Sequence, residues 1–247
     1  MRWPAVLLVL AAVALAACGG ADGPAGSPTD PPPSSTAAEA PVADVFPAEG
    51  TARATVVLFH GWTDLAPTSG YLPWIRHLTG EGVTVIFPRY QRGLLSTPAQ
   101  MLAEARAATA AGFREVADPG PVVAVGYSLG GGFAVVLGAN AGAWGVPQPA
   151  AVYGVFPAMP PVVPDPFGEV PAATSVLLLA GDADAVVGVA GADRLAAAIA
   201  PHPAEVRTLR SSSAIRFEHL APKRVDDAAR RAFWAPLDRI VDRLAPR

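Results

Sequence analysis

Val122-Val123-Ala124-Val125-Gly126-Tyr127-Ser128-Leu129-Gly130-Gly131-Gly132 is the stretch that decides the fold. An apolar, mostly β-branched run ends in Gly-x-Ser-x-Gly, and a small-residue helical pattern follows from Phe133 to Ala141. A buried strand, a sharp turn and a helix are the setting a nucleophile elbow requires. In such an elbow the serine takes a strained backbone conformation, and side chains at Gly126 and Gly130 would collide with the neighbouring strand and helix. Ser128 Oγ is then expected at the carboxyl end of a central strand. The N–H of Leu129, opening the helix, is expected to face a developing oxyanion. The bland alternative is a glycine-rich turn with an ordinary serine.

The surrounding chain alternates apolar strands with helices. Val42 to Phe46 reads as an edge strand, Thr55 to Phe59 as a buried strand ending at His60-Gly61-Trp62, and Val83 to Phe87 as the next strand, stopped by Pro88. Trp74 to Leu78 reads as a short helix. Pro98 to Ala117 reads as a longer one, with its proline near the first helical position. After the elbow come strands at Ala150 to Phe156, Val176 to Ala180 and Glu205 to Leu209, and helices at Ala190 to Ala200 and Asp226 to Leu244. Continuous apolar strands alternating with helices predict a single α/β domain, a mostly parallel sheet covered on both faces. Its chemistry belongs in the loops beyond the carboxyl ends of the strands.

A serine nucleophile needs a base, and the base an orienting carboxylate. The acid candidate is Asp184, presented by Gly181-Asp182-Ala183-Asp184 directly after a strand; Asp182 competes, with a turn-capping role as its alternative. Asp193 falls inside the next helix and reads as solvent-facing. The base candidate is His219, between the last strand and the last helix. His202 precedes that strand and belongs at the opposite edge, His77 reads as a packing or surface histidine, and His60 as a structural ring bonded to loop backbone. The second oxyanion donor is expected from the Trp62 N–H, beside that of Leu129. The Trp62 ring lines the acyl pocket or packs on its rim; Tyr127 and Tyr90 are further pocket candidates.

Composition narrows the function. The 247 residues carry a formal charge of −3, four histidines and one cysteine. There is no basic footprint for nucleic acid and no zinc-type spacing, so neither a metal nor an organic cofactor is implied. One cysteine excludes an intrachain disulfide. That cysteine closes Leu15-Ala16-Ala17-Cys18, after Arg2 and an apolar run from Ala5, a pattern that reads as a secretory signal over 1–17. The motif resembles the bacterial lipobox, and the resemblance implies that Cys18 carries lipid. The alternative is an ordinary cleaved signal with a spare thiol. Residues 18–41, rich in Pro, Gly, Ser and Thr, read as a disordered tether to a domain spanning 42–247.

Taken together, His60-Gly61, Gly-Tyr-Ser128-Leu-Gly, Gly-Asp-Ala-Asp184 and the late His219 resemble the α/β-hydrolase fold. Tyr153-Gly154 and the short stretch to the Gly-x-x-Asp strand look like its lidless dienelactone-hydrolase-like group. That group often has a cysteine nucleophile, so Ser128 argues against lactone chemistry of that kind. The triple glycine looks like the elbow of bacterial cutinases and lipases. Two departures stand out. Between Phe156 and Ser175 there is no room for a helical cap, which predicts an open site bounded by the Trp62–Tyr71, Tyr90–Thr97 and Pro157–Pro171 loops. Ile215 to His219 also lacks the glycine that commonly neighbours the family's histidine.

The expectation is a secreted, lipid-anchored serine hydrolase of the bacterial envelope, a monomer acting on carboxylic esters through a Ser-His-Asp acyl-enzyme mechanism. Lipase- or cutinase-like, thioesterase or acyltransferase action on the same site is the near alternative. A non-catalytic envelope-binding lipoprotein is the distant one.

Overall fold

The computed structural model describes residues 42–62, 64, 67–160 and 167–247. The expected signal peptide, Cys18 and the tether lie outside them. The described residues fall within one compact unit, Ala40–Arg247.

Seven strands form a single sheet: β1 (Ala43–Phe46), β2 (Ala54–Phe59), β3 (Val83–Pro88), β4 (Val122–Tyr127), β5 (Ala151–Val155), β6 (Ser175–Gly181) and β7 (Glu205–Leu209). Their spatial order is β1-β3-β2-β4-β5-β6-β7. All neighbours are parallel except β1, which runs against β3 with Ala43 opposite Pro88. Every residue of β2 to β5 is buried. These strands have no solvent face, so their apolar runs are unbroken rather than alternating. The outermost strands are short and carry charge: Asp44 pairs with Arg89 at 2.8 Å, and Glu205 with Arg207 at 2.5 Å.

The helices divide between two cores. On one face α1 (Pro67–Gly80) and the C-terminal helix pack against Val56, Leu58, Val123, Val125 and Tyr153. On the other, α2 (Pro98–Arg114), α3 (Leu129–Trp144) and α4 (Val189–Ala198) cover Val57, Phe59, Ala124, Val152 and Leu178. Period-two alternation sends successive residues of each strand into opposite cores.

The observed helices refine the expected ones. Helix α1 starts before Trp74 and runs through Pro73. Helix α2 opens as expected, with Thr97 and Gln100 closing a capping box, and stops at Arg114. Gly112 stays inside α2 because a Cβ there would meet Ile86 Cγ2 at 2.3 Å. The closing helix is three pieces: α5 (Asp227–Ala229), a π turn (Arg230–Trp234) and α6 (Ala235–Leu244). Asp226 caps its start, accepting from the Ala228 and Ala229 amides. Pro236 lacks the N–H that would continue a regular ladder, and the helix widens just before it.

Because β3 and β4 lie on opposite sides of β2, the connections leaving β2 and β4 diverge. A crevice opens between them at the carboxyl end of the sheet, where such folds place their ligands.

Candidate active site

Ser128 follows β4 at that crevice, with φ 55° and ψ −124°. This is a left-side backbone conformation that a non-glycine residue adopts only when its surroundings hold it. Its N–H donates to Val155 O at 3.0 Å, and its carbonyl accepts from Ala158 and Gly131 at 2.8 and 2.9 Å. The flanking glycines are there for space. A Cβ on Gly126 would lie 2.0 Å from Gly130 O, and one on Gly130 2.2 Å from Phe59 O. Both obstacles are backbone, which cannot rotate away.

His219 and Asp184 converge on Ser128. His219 Nε2 stands 3.0 Å from Ser128 Oγ, and its Nδ1 2.8 Å from Asp184 Oδ2. The free oxygen of Asp184, Oδ1, accepts from the Val186 and Val187 amides at 2.8 and 3.1 Å. The carboxylate is therefore locked by its own loop, and its side chain is fully shielded from solvent. The rivals are elsewhere. Asp182 accepts from the Ser211 N–H and hydroxyl, which hold its pKa below the usual carboxylate range, and ties β6 to the chain beyond β7. Asp193 is exposed. His77 bonds Asp238 at 3.0 Å and packs on Trp234. His202 lines a separate cavity of about 560 Å³ beside α4, with neither ring nitrogen given a partner.

The loop after β2 is braced from two sides. His60 is buried, its Nδ1 lies 2.8 Å from Gly61 O, and its ring stacks on Tyr90 at 4.2 Å. Burial pulls its pKa down from 6.5 to about 4, against the raising effect of the bond to Gly61 and of Asp64. The ring is thus a neutral strut. Tyr90 does not line the pocket as expected: it is fully buried, packs on Phe133, and its hydroxyl donates to His60 O at 2.6 Å. Its ring is large enough to fill the space beneath the loop and its hydroxyl satisfies a buried carbonyl, so it serves as a pillar.

From the other side the Gly61 N–H donates to Tyr71 Oη at 2.8 Å, and Tyr71 donates to Asp64 Oδ2 at 2.6 Å. Asp64 Oδ1 receives Lys223 Nζ at 2.5 Å. With the Gly61 N–H occupied, Trp62, the next residue, lines the crevice. Leu129 opens α3, where a helix leaves its first N–H groups without internal acceptors. The Tyr71–Asp64–Lys223 chain was not anticipated: Asp64 and Lys223 lie 159 positions apart, and only the fold brings them together.

Ser128 and His219 open into a cleft of about 530 Å³. Its walls are Trp62, Tyr127, Leu129, Met159, Val187 and Leu220, with Asp64 and Lys223 set into one side. Tyr127 and Trp62 line it, and Trp62, 51% exposed, stands at the mouth. Tyr127 also donates to His219 O at 2.8 Å, fixing the base from below. The expected Tyr90–Thr97 wall is replaced by the loop after Asp184 and the turn Ala221–Lys223. Among the described residues between Phe156 and Ser175 there is no helix; 161–166 lie outside them.

No protein-family model and no curated protein sequence matches the chain. Solved structures do. The chain is similar to esterase 2 of the planctomycete Thermogutta terrifontis phosphoramylated by tabun, with 18% identity, a TM-score of 0.62, and 83% of this chain covering 91% of that one. The same esterase with butyrate bound matches at 19% identity and a TM-score of 0.61, with 83% and 91% covered. Its paraoxon-phosphorylated form matches at 18% and 0.61, with 83% and 90% covered. The chain has the α/β-hydrolase fold. At this identity the likeness speaks for architecture, and the chemistry rests on the residues above.

Proposed function

We propose that the protein is a serine hydrolase of carboxylic esters. The observation that carries this reading is the continuous path Ser128 Oγ–His219 Nε2, His219 Nδ1–Asp184 Oδ2, at 3.0 and 2.8 Å, on a serine held at φ 55°. Ser128 Oγ attacks the acyl carbon as His219 Nε2 takes its proton. Asp184 holds the tautomer and stabilises the imidazolium. The Trp62 and Leu129 amides receive the oxyanion, each worth about 3 kcal/mol to the transition state. His219 returns the proton to the leaving alcohol, and a water activated by the same nitrogen releases the acid. Support comes also from the structural neighbour, an esterase whose structures include butyrate- and propionate-bound forms and organophosphate adducts.

The leader pattern ending at Cys18 supports secretion and lipid anchoring in the bacterial envelope. A lipase-like variant of the same chemistry is favoured by the apolar walls and open mouth of the cleft. The test is hydrolysis of p-nitrophenyl acetate, butyrate and octanoate beside Ser128→Ala. The variant is expected to lose at least about a thousandfold in rate. A folded parent that neither turns over these esters nor takes a fluorophosphonate on Ser128 would leave the non-catalytic reading.

A further inference from the structure

The exposed apolar surface is distributed unevenly. Seven large apolar residues stand exposed among the described ones: Val42, Trp62, Leu94, Leu95, Val186, Leu220 and Val225. Trp62, Leu94, Leu95 and Val186 lie in the connections leaving β2, β3 and β6; Leu220 and Val225 lie in that leaving β7. Val42 precedes the antiparallel β1, whose start pairs with the carboxyl end of β3, and its carbonyl accepts from the Arg89 amide. All seven are thus at the end of the sheet where Ser128 lies. Single exposed apolar residues are ordinary, but their concentration at one end is not.

Leu95, 94% exposed, is no accident of a loose loop. Ser96 Oγ accepts from the Arg92 and Gly93 amides at 3.2 Å, and the Ser96 N–H donates to Gly93 O at 3.2 Å. That turn holds Leu94 and Leu95 outward. Trp62, Val186 and Leu220 border the cleft itself.

The place where the chain joins the domain selects the occupant. Residue 42 enters at this same end, so whatever holds the N-terminus holds the mouth of the cleft. Residues 19–41 span at most about 80 Å if extended and about 30 Å as a coil. A domain of this size is roughly 40 Å across. Attachment at the far end would add a domain's width to the path between an anchoring surface and the cleft; attachment at this end removes it.

We propose that the apolar rim docks on the lipid bilayer that retains the protein, and that the substrate is a water-insoluble acyl ester drawn from that bilayer. This rests on the serine-hydrolase reading for its chemistry, on the Cys18 anchor for its bilayer and on the rim for its docking. Trp62, Val186 and Leu220 sink into the interface around the cleft, and the Leu94-Leu95 turn acts as a wedge beside it. An ester carbonyl then reaches Ser128 Oγ without its acyl chain crossing water.

The full-length chain carrying Cys18→Ser and a single dye-bearing cysteine, at Leu95→Cys or at exposed Arg114→Cys on the opposite end, is mixed with phosphatidylcholine–phosphatidylglycerol vesicles containing brominated lipid. Quenching at least fivefold stronger at 95 than at 114 is expected. Equal or absent quenching at 95 overturns the docking. A second arm compares the unmodified full chain with a Leu94→Glu/Leu95→Glu variant. The variant is expected to hydrolyse soluble p-nitrophenyl butyrate at the parental rate and a bilayer-embedded long-chain ester at least tenfold more slowly. Equal rates on the embedded ester overturn the proposal, as does retention on a polyester film but not on vesicles. A parent inactive on both esters while the dye at 95 is quenched would sink the hydrolase reading and leave the docking standing.

Discussion

His60 opens the loop after β2 and works as a neutral strut, and its burial gives the fold a pH dependence. The folded ring titrates at about 4, the unfolded one at about 6.5. Between these values the unfolded chain binds the extra proton, so stability is full above pH 6.5 and is lost as pH falls towards 4, by up to about 3 kcal/mol. Urea midpoints followed from neutral to acid pH should fall steeply for the parent and less for His60→Gln, once each is referred to its own neutral value. The Ser128–His219–Asp184 path was legible at this scale because each member follows a strand in a fixed chain order, and a motif marks two of the three. Tyr90 was not: a tyrosine after a strand reads alike whether it faces a cleft or fills a core. Only the stacking on His60 and Phe133 tells them apart.

In the proposed mechanism the loop after β2 sets the oxyanion geometry, and α1 braces it through one hydroxyl. Tyr71→Phe keeps the buried ring but leaves the Gly61 N–H without its acceptor and Asp64 Oδ2 without its donor, Lys223 remaining on Oδ1. The expected cost is about 1–3 kcal/mol in stability. A roughly tenfold fall in kcat with little change in KM is also expected, because in the proposed mechanism the Trp62 amide stabilises charge only in the transition state. Steady-state kinetics on p-nitrophenyl butyrate beside a denaturation curve separate the two effects. Apolar runs made the five inner strands readable, whereas β1 and β7 mix charged and apolar residues and gave a weaker signal. The extent of α1 was hidden by Pro73, which a helix pattern counts as a breaker. The π turn was hidden because Pro236 leaves the apolar stripe of the closing helix intact.

For the whole molecule, the site depends on the C-terminal helix that closes one core. Phe233 is fully buried and meets Phe156 and Phe217 edge-on at 5.5 and 5.9 Å, and its carbonyl accepts from Tyr153. Phe217 stands two residues before His219. Phe233→Ala should cost about 3–5 kcal/mol, read as a lowered melting temperature. Activity measured below that melting point should fall further than the folded fraction, because the His219 loop loses its support. The strand–helix alternation made the layered architecture legible, whereas the sheet order was not: nothing local tells β3 and β4 to settle on opposite sides of β2. The Tyr71–Asp64–Lys223 brace was hidden for the same reason.

The short, charged outer strands bear on the surface attachment proposed above. Confinement to two dimensions raises the local concentration of copies and aligns them, the condition in which open sheet edges recruit one another into fibrils. At β1 the Asp44–Arg89 pair and at β7 the exposed Glu205 and Arg207 put charges that a neighbour would have to desolvate on a strand of only four or five residues. Under that attachment, charged edges of this kind work against edge-to-edge polymerisation of crowded copies.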